Sequence, residues 1–101
     1  VNGETKAERR AALERVRSYY DEELAGLIAH VEEAIDRYRA GEIDVHAVDE
    51  VIHRYSKAAR KLWSFCWRGG GSHFVWVSQI LDHKDSELKL ASWWEQAAPR
   101  R

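Results

Sequence analysis

The 101-residue sequence contains no methionine, one cysteine and one proline. A lone thiol, Cys66, cannot form a disulfide within the chain, which predicts a reduced, cytoplasmic compartment. Pro99 lies near the end, where it interrupts no element. Long apolar runs are also missing. No stretch approaches the roughly 20 apolar residues of a membrane-spanning helix, and no basic start leads into the roughly 7–15 apolar residues of a secretory signal. An excess of one charge is lacking too: 16 Lys and Arg face 17 Asp and Glu, a net charge of −1. A near-neutral chain is not drawn to nucleic acid or to an anionic membrane by bulk attraction.

What is present is a high density of both apolar and charged residues, 45% and 33%, with a mean hydropathy of −0.60. That mixture suits water-facing amphipathic helices. The length predicts a single helical domain over 1–101 with one modest core, frayed at 1–5 and 99–101. The abundance of Arg, Ala, Glu and Trp points to a GC-rich bacterial genome.

Val45, Val48, Ile52, Tyr55, Ala59, Leu62 and Cys66 recur at alternating intervals of three and four. That spacing marks a helix whose narrow apolar face lies against another helix. Upstream, Leu13, Val16, Tyr20, Leu24, Leu27, Val31, Ala34 and Tyr38 trace a second seam. One eleven-residue unit interrupts its heptads and keeps it nearly straight. The first helix is predicted from about Glu4 to Ala40, roughly 55 Å long, interrupted only by Gly26. Gly41 supplies its stop, and Asp44 reads as the next N-cap, with Ile43 and Val48 placed as a hydrophobic staple. The second helix ends at about Trp67, before the triplet Gly69, Gly70, Gly71. Ser72 caps a third helix through about Asp82, with Phe74, Val77, Ile80 and Leu81 inward. A short final helix carries Leu90, Trp93 and Trp94. The predicted fold is all-α: an antiparallel hairpin of two long helices plus one or two shorter C-terminal helices. Reflection through the turn sets Trp67 near Arg17 and leaves roughly the first fifteen residues without a partner from the second helix. The later helices or a second subunit must cover them, which favours a dimeric bundle.

Three constellations offer chemistry. His46, Glu50 and His53 share one face of the second helix at spacings of four and three, and reflection sets His30 and Glu33 of the first helix opposite. The four N/O groups of Glu50 and His53 with His30 and Glu33 opposite them suit Zn or Fe, with His46 beside them, but none of these residues is on the inward seam, and solvated (i, i+4) pairing explains the same pattern. Between His53 and Arg68, Arg54, Lys57, Arg60, Lys61 and Arg68 interleave with Tyr55, Trp63 and Trp67 and no acid. Cations beside aromatic faces are what single-stranded nucleic acid requires, although acids at a helix start and bases at its end also satisfy the macrodipole alone. The glycine triplet before Ser72 could offer N–H groups to an anion, but no strand precedes it and no Lys-Ser or Lys-Thr follows. It reads as a hinge.

No catalytic triad is supported, and a buried Cys66 is a poor nucleophile. Five tryptophans exceed what so small a core absorbs, so some are expected at an interface. The sequence therefore predicts a non-enzymatic interaction or regulatory module without a cofactor, which pairs with a protein partner or with itself as a homodimer. Its contacts are Trp63, Trp67, Trp76, Trp93 and Trp94, with Arg60, Lys61 and Arg68 as a charged rim. Nucleic-acid binding through the basic aromatic half of the second helix is the alternative, and metal binding follows. Trp67-Arg68-Gly69 resembles the Trp-x-Gly motif of a family of small secreted helical hairpins, which would imply dimerisation into a four-helix bundle and specialised export. In that family the motif lies at the central turn and a tyrosine–acid signal follows near the C-terminus. Here it lies two-thirds along the chain without that signal.

Overall fold

The computed structural model describes residues 5–69, 73–82 and 92–99. They form four helices and no strand: α1 (Lys6–Arg39), α2 (Val45–Trp67), α3 (His73–Asp82) and α4 (Trp93–Gln96). None of these is long and apolar enough to cross a membrane.

Each end of the long helices has a local cause. Thr5 caps α1 with a reciprocal box: its hydroxyl accepts from the Glu8 N–H at 3.1 Å, and the Glu8 carboxylate accepts from the Thr5 N–H at 2.8 Å. At the other end the chain passes through Gly41 at φ +79°, a left-handed conformation that costs glycine nothing. The Gly41 N–H then reaches the Tyr38 carbonyl and the Glu42 N–H the Arg37 carbonyl, closing the helix as a Schellman motif. Asp44 is the N-cap of α2, and its carboxylate accepts from the Ala47 N–H at 2.9 Å.

The long helix α1 packs on α2. Tyr19 meets Phe65 at 6.1 Å and Tyr20 meets Trp67 at 5.6 Å between ring centroids, both edge-on. Trp67 thus lies about one turn from the position opposite Arg17 that reflection sets. At the other end Ala34, Ile43 and Ala47 line one groove. The core gathers Val16, Tyr19, Leu27, Ala58, Leu62 and Cys66 of the long helices with Val77, Leu81, Trp93 and Ala97 of the later segments. α3 meets α1 near its third turn, where Arg15 pairs with Asp82 at 3.2 Å and Phe74 lines a groove with Leu13, while residues 5–11 are exposed.

Two seams differ from their sequence patterns. On α2, Val45 and Ile52 are 58% and 43% exposed, because the side turned to α1 carries Val51, Ala58, Leu62 and Cys66. On α1, Tyr38 is exposed and Tyr19, not Tyr20, is the buried tyrosine. Of the inward positions expected on α3, Val77 and Leu81 are buried, whereas Phe74 and Ile80 are half-buried. The cap at Ser72, the glycines at 70 and 71, and Leu90 lie outside the described residues.

Candidate interaction surface

The α1–α2 pair has two flanks. On one, aromatic rings from all four helices close over the core. Phe65 is central, with Trp93 at 5.4 Å, Tyr19 at 6.1 Å and Trp76 at 6.4 Å. The Trp93 indole N–H donates to the Tyr19 hydroxyl at 2.8 Å, which satisfies both polar atoms inside. Burial pushes the Tyr19 hydroxyl up to about 12, against the lowering effect of that hydrogen bond. Burial likewise pushes the Cys66 thiol up to about 12, with the Glu23 carboxylate adding to it. Such a thiol stays protonated at neutral pH and is no nucleophile.

At the end of α2, the His73 Nε2 lies 2.8 Å from the Phe65 carbonyl. A carbonyl only accepts, so this nitrogen carries the proton and satisfies one of the last carbonyls of the helix. Gly69 makes the crossing possible: a Cβ there would collide with the His73 ring.

Trp94 is held by one side chain from each long helix. The His30 ring stacks on its indole at 4.0 Å and 3°, and the Arg54 guanidinium lies over it at 4.2 Å. Arg54 also donates through Nε to the Trp94 carbonyl at 2.9 Å and approaches Glu95 at 3.7 Å. Beside this clasp is a groove of about 360 Å³ with an apolar floor of Ala34, Ala47 and Val51 and a rim of Glu33, Arg37 and Glu50. The five residues considered as metal ligands separate here. His30, Glu33 and Glu50 share the groove, His53 pairs with Asp49 at 3.5 Å on the open surface, and His46 is exposed outside the groove. Among the described residues no three His, Cys, Asp or Glu side chains converge to hold a metal ion.

The tryptophans also separate. Trp93 is 7% exposed and belongs to the core, which removes it from the contact residues expected from the sequence. Trp67 and Trp94 are half-buried against Tyr20, Phe74, His30 and Arg54. Trp63 and Trp76 remain about half exposed, and Arg60, Lys61 and Arg68 are exposed.

The second flank carries Val45, Ile52 and Tyr38, which the sequence reading placed inside, together with Trp63 and Ile28. Val45 and Trp63 are 18 residues apart, five whole turns of α2, and Ile52 lies about 20° from their line. The matching edge of α1 carries Ile28 and Tyr38, also about half exposed. The clasp and the Tyr19–Phe65–Trp93 cluster lie on the opposite edges of the two helices. Among the described residues, nothing from α3 or α4 covers Ile28, Tyr38, Val45 or Ile52.

Charge divides along the molecule. Residues 21–53 hold ten acids and two arginines, net −8. Residues 5–20 hold five bases and two acids, and residues 54–69 hold five bases and no acid, together net +8. The Tyr19–Phe65 and Tyr20–Trp67 contacts set acidic residues 21–33 of α1 beside the basic half of α2 and leave the basic residues 6–17 of α1 at the end away from the turn. The molecule, 59 Å along its longest axis and 26 by 24 Å across, is therefore a rod acidic at the turn and basic at the opposite end.

Comparison with protein-family models, with curated proteins and with solved structures returned no match. The functional reading rests on the geometry.

Proposed function

We propose that the chain is a small non-enzymatic interaction module, built on an antiparallel α1–α2 hairpin, which docks another macromolecule through the uncovered flank of the two helices. One observation carries the reading. Five large apolar side chains, Ile28, Tyr38, Val45, Ile52 and Trp63, are each 43–58% exposed, with Val45, Ile52 and Trp63 on one line of α2 and Ile28 and Tyr38 on the adjoining edge of α1. Scattered apolar residues need no explanation, whereas a contiguous stripe on a helix pair marks a surface that is covered in use. The charged residues along its edges, Asp49 and Arg60, match the polar rim of protein interfaces.

A photoreactive amino acid placed at Ile52 tests the reading in living cells. Covalent adducts from position 52, with none from Lys57 on the opposite face of α2, are expected. Equal trapping from both positions, or none from either, contradicts a docking flank.

A second reading has its own support. The basic start of α1 runs on beyond the basic end of α2, and exposed Trp63 stands among Arg60 and Lys61. Cations and a stacking face at one end suit single-stranded nucleic acid. Salt-sensitive oligonucleotide binding, weakened by Lys61→Ala and Arg68→Ala, would favour it over the flank.

A further inference from the structure

We infer that the occupant of the uncovered flank is a second copy of this chain, turned by a two-fold axis so that the acidic half of each α2 lies on the basic half of the other. The inference rests on reading that flank as a docking surface, and it adds the identity and direction of the partner.

The charge division selects the direction. On α2, Asp44, Asp49 and Glu50 precede the midpoint and Lys57, Arg60, Lys61 and Arg68 follow it, so parallel packing of α2 on α2 sets like charges together. Laid antiparallel, the acidic half of each α2 meets the basic half of the other, and the net charge of −1 per copy adds little long-range repulsion. The same direction agrees with the local residues. The midpoint of the stripe between Val45 and Trp63 falls at residue 54, so antiparallel packing of α2 on α2 opposes residues whose numbers sum to about 108. Val45 of each copy then faces Trp63 of the other, and a small branched side chain meets a large indole instead of a second indole. Asp49 of each copy comes beside Arg60 of the other, and the symmetry makes this pair twice.

The size of the flank is also that of a dimer contact. Eighteen residues of helix extend about 27 Å, and two helices side by side are about 20 Å wide. That footprint, on the order of 500 Å² before side-chain relief, approaches the roughly 800 Å² per partner of a standard interface. A two-fold contact uses the same patch on both molecules and closes on itself, so no further copies add.

Sedimentation equilibrium of the full chain across a wide concentration range tests the inference. A limiting mass of twice 11.8 kDa is expected. Ile52→Asp should weaken association by about a hundredfold, tenfold at each of the two related sites, with helical circular dichroism unchanged. Asp49→Arg should weaken it, and adding Arg60→Asp to the same chain should restore it, because the exchanged pair re-forms across the axis. Wild-type protein that keeps the single-chain mass at every concentration overturns the inference, as does Ile52→Asp protein that still doubles. A dimer in which the charge exchange brings no rescue overturns the antiparallel direction. A single-chain mass together with trapping of a different protein at position 52 defeats the second-copy occupant but leaves the docking flank standing. A single-chain mass with no trapping defeats both.

Discussion

Tyr19 and Tyr20 are neighbours in sequence and lie on different flanks of the same helix pair. Tyr19 is 5% exposed, under Phe65 and Trp93, and its hydroxyl accepts a hydrogen bond from a residue 74 positions away. Tyr20 is half-buried, edge-on to Trp67, on the flank that continues toward Ile28 and Ile52. Composition does not separate the two flanks, since both carry aromatic and branched residues. They differ in where the later chain returns. The segment 92–99 brings Trp93 into the core and Trp94 onto His30 and Arg54, and all of it goes to one side. The two flanks are the same kind of helix edge, one closed from within the chain and one left exposed among the described residues.

Unfolding experiments can sharpen that contrast. Trp93→Ala carries the largest expected effect: it empties the centre of the closed flank and leaves the Tyr19 hydroxyl without its donor, at a cost of about 3–5 kcal/mol in urea unfolding. The second effect is set by pH. Tyr19 and Cys66 both ionise in the folded chain only near 12, well above their ordinary values of 10.0 and 9.0. The unfolded state therefore releases these protons first. The contribution of Cys66 is fully present below about pH 9 and that of Tyr19 below about pH 10, and both are lost as pH rises toward 12, by about 2–3 kcal/mol for Tyr19 and about 4 kcal/mol for Cys66. A flat stability profile over that range would contradict the closed environment of the two groups. Arg54→Ala removes the hydrogen bond to the Trp94 carbonyl and the contact over its indole. A loss of about 1–2 kcal/mol is expected, with faster backbone hydrogen exchange confined to residues 93–97.

Features decided within a few residues were legible in the sequence. Gly41 as the stop of α1 and Asp44 as the cap of α2 follow from local chemistry, and both hold in the structure. The Thr5-x-x-Glu8 box was equally local but went unread; it orders Thr5, expected among the frayed residues, and sets the start of α1 at Lys6, two residues after the Glu4 expected from the absence of breakers. The seams were legible only in part. Spacing by three and four says which residues share a face, not what lies against it. Val45, Ile52 and Tyr38 satisfy the pattern and are exposed, because α2 carries a second run of small and branched residues, Ala47, Val51 and Ala58, that turns toward α1 instead. That doubled run was the signal for an open flank. Contacts made over long separations, such as Trp93 with Tyr19 and Trp94 with His30 and Arg54, left no local trace, so Trp93 was expected among the contact residues and is core.

The concentration dependence of the thermal unfolding midpoint, compared between wild type and Ile52→Asp, tests most directly whether one flank is internal and the other meets a second copy. Binding to the folded state raises the midpoint by mass action. The midpoint of the wild type should climb with protein concentration. That of Ile52→Asp should stay constant and equal the wild-type value at high dilution, since an exposed residue contributes less than about 0.5 kcal/mol to the single chain. A wild-type midpoint that does not move with concentration, or an Ile52→Asp midpoint several degrees lower even at high dilution, would contradict the account.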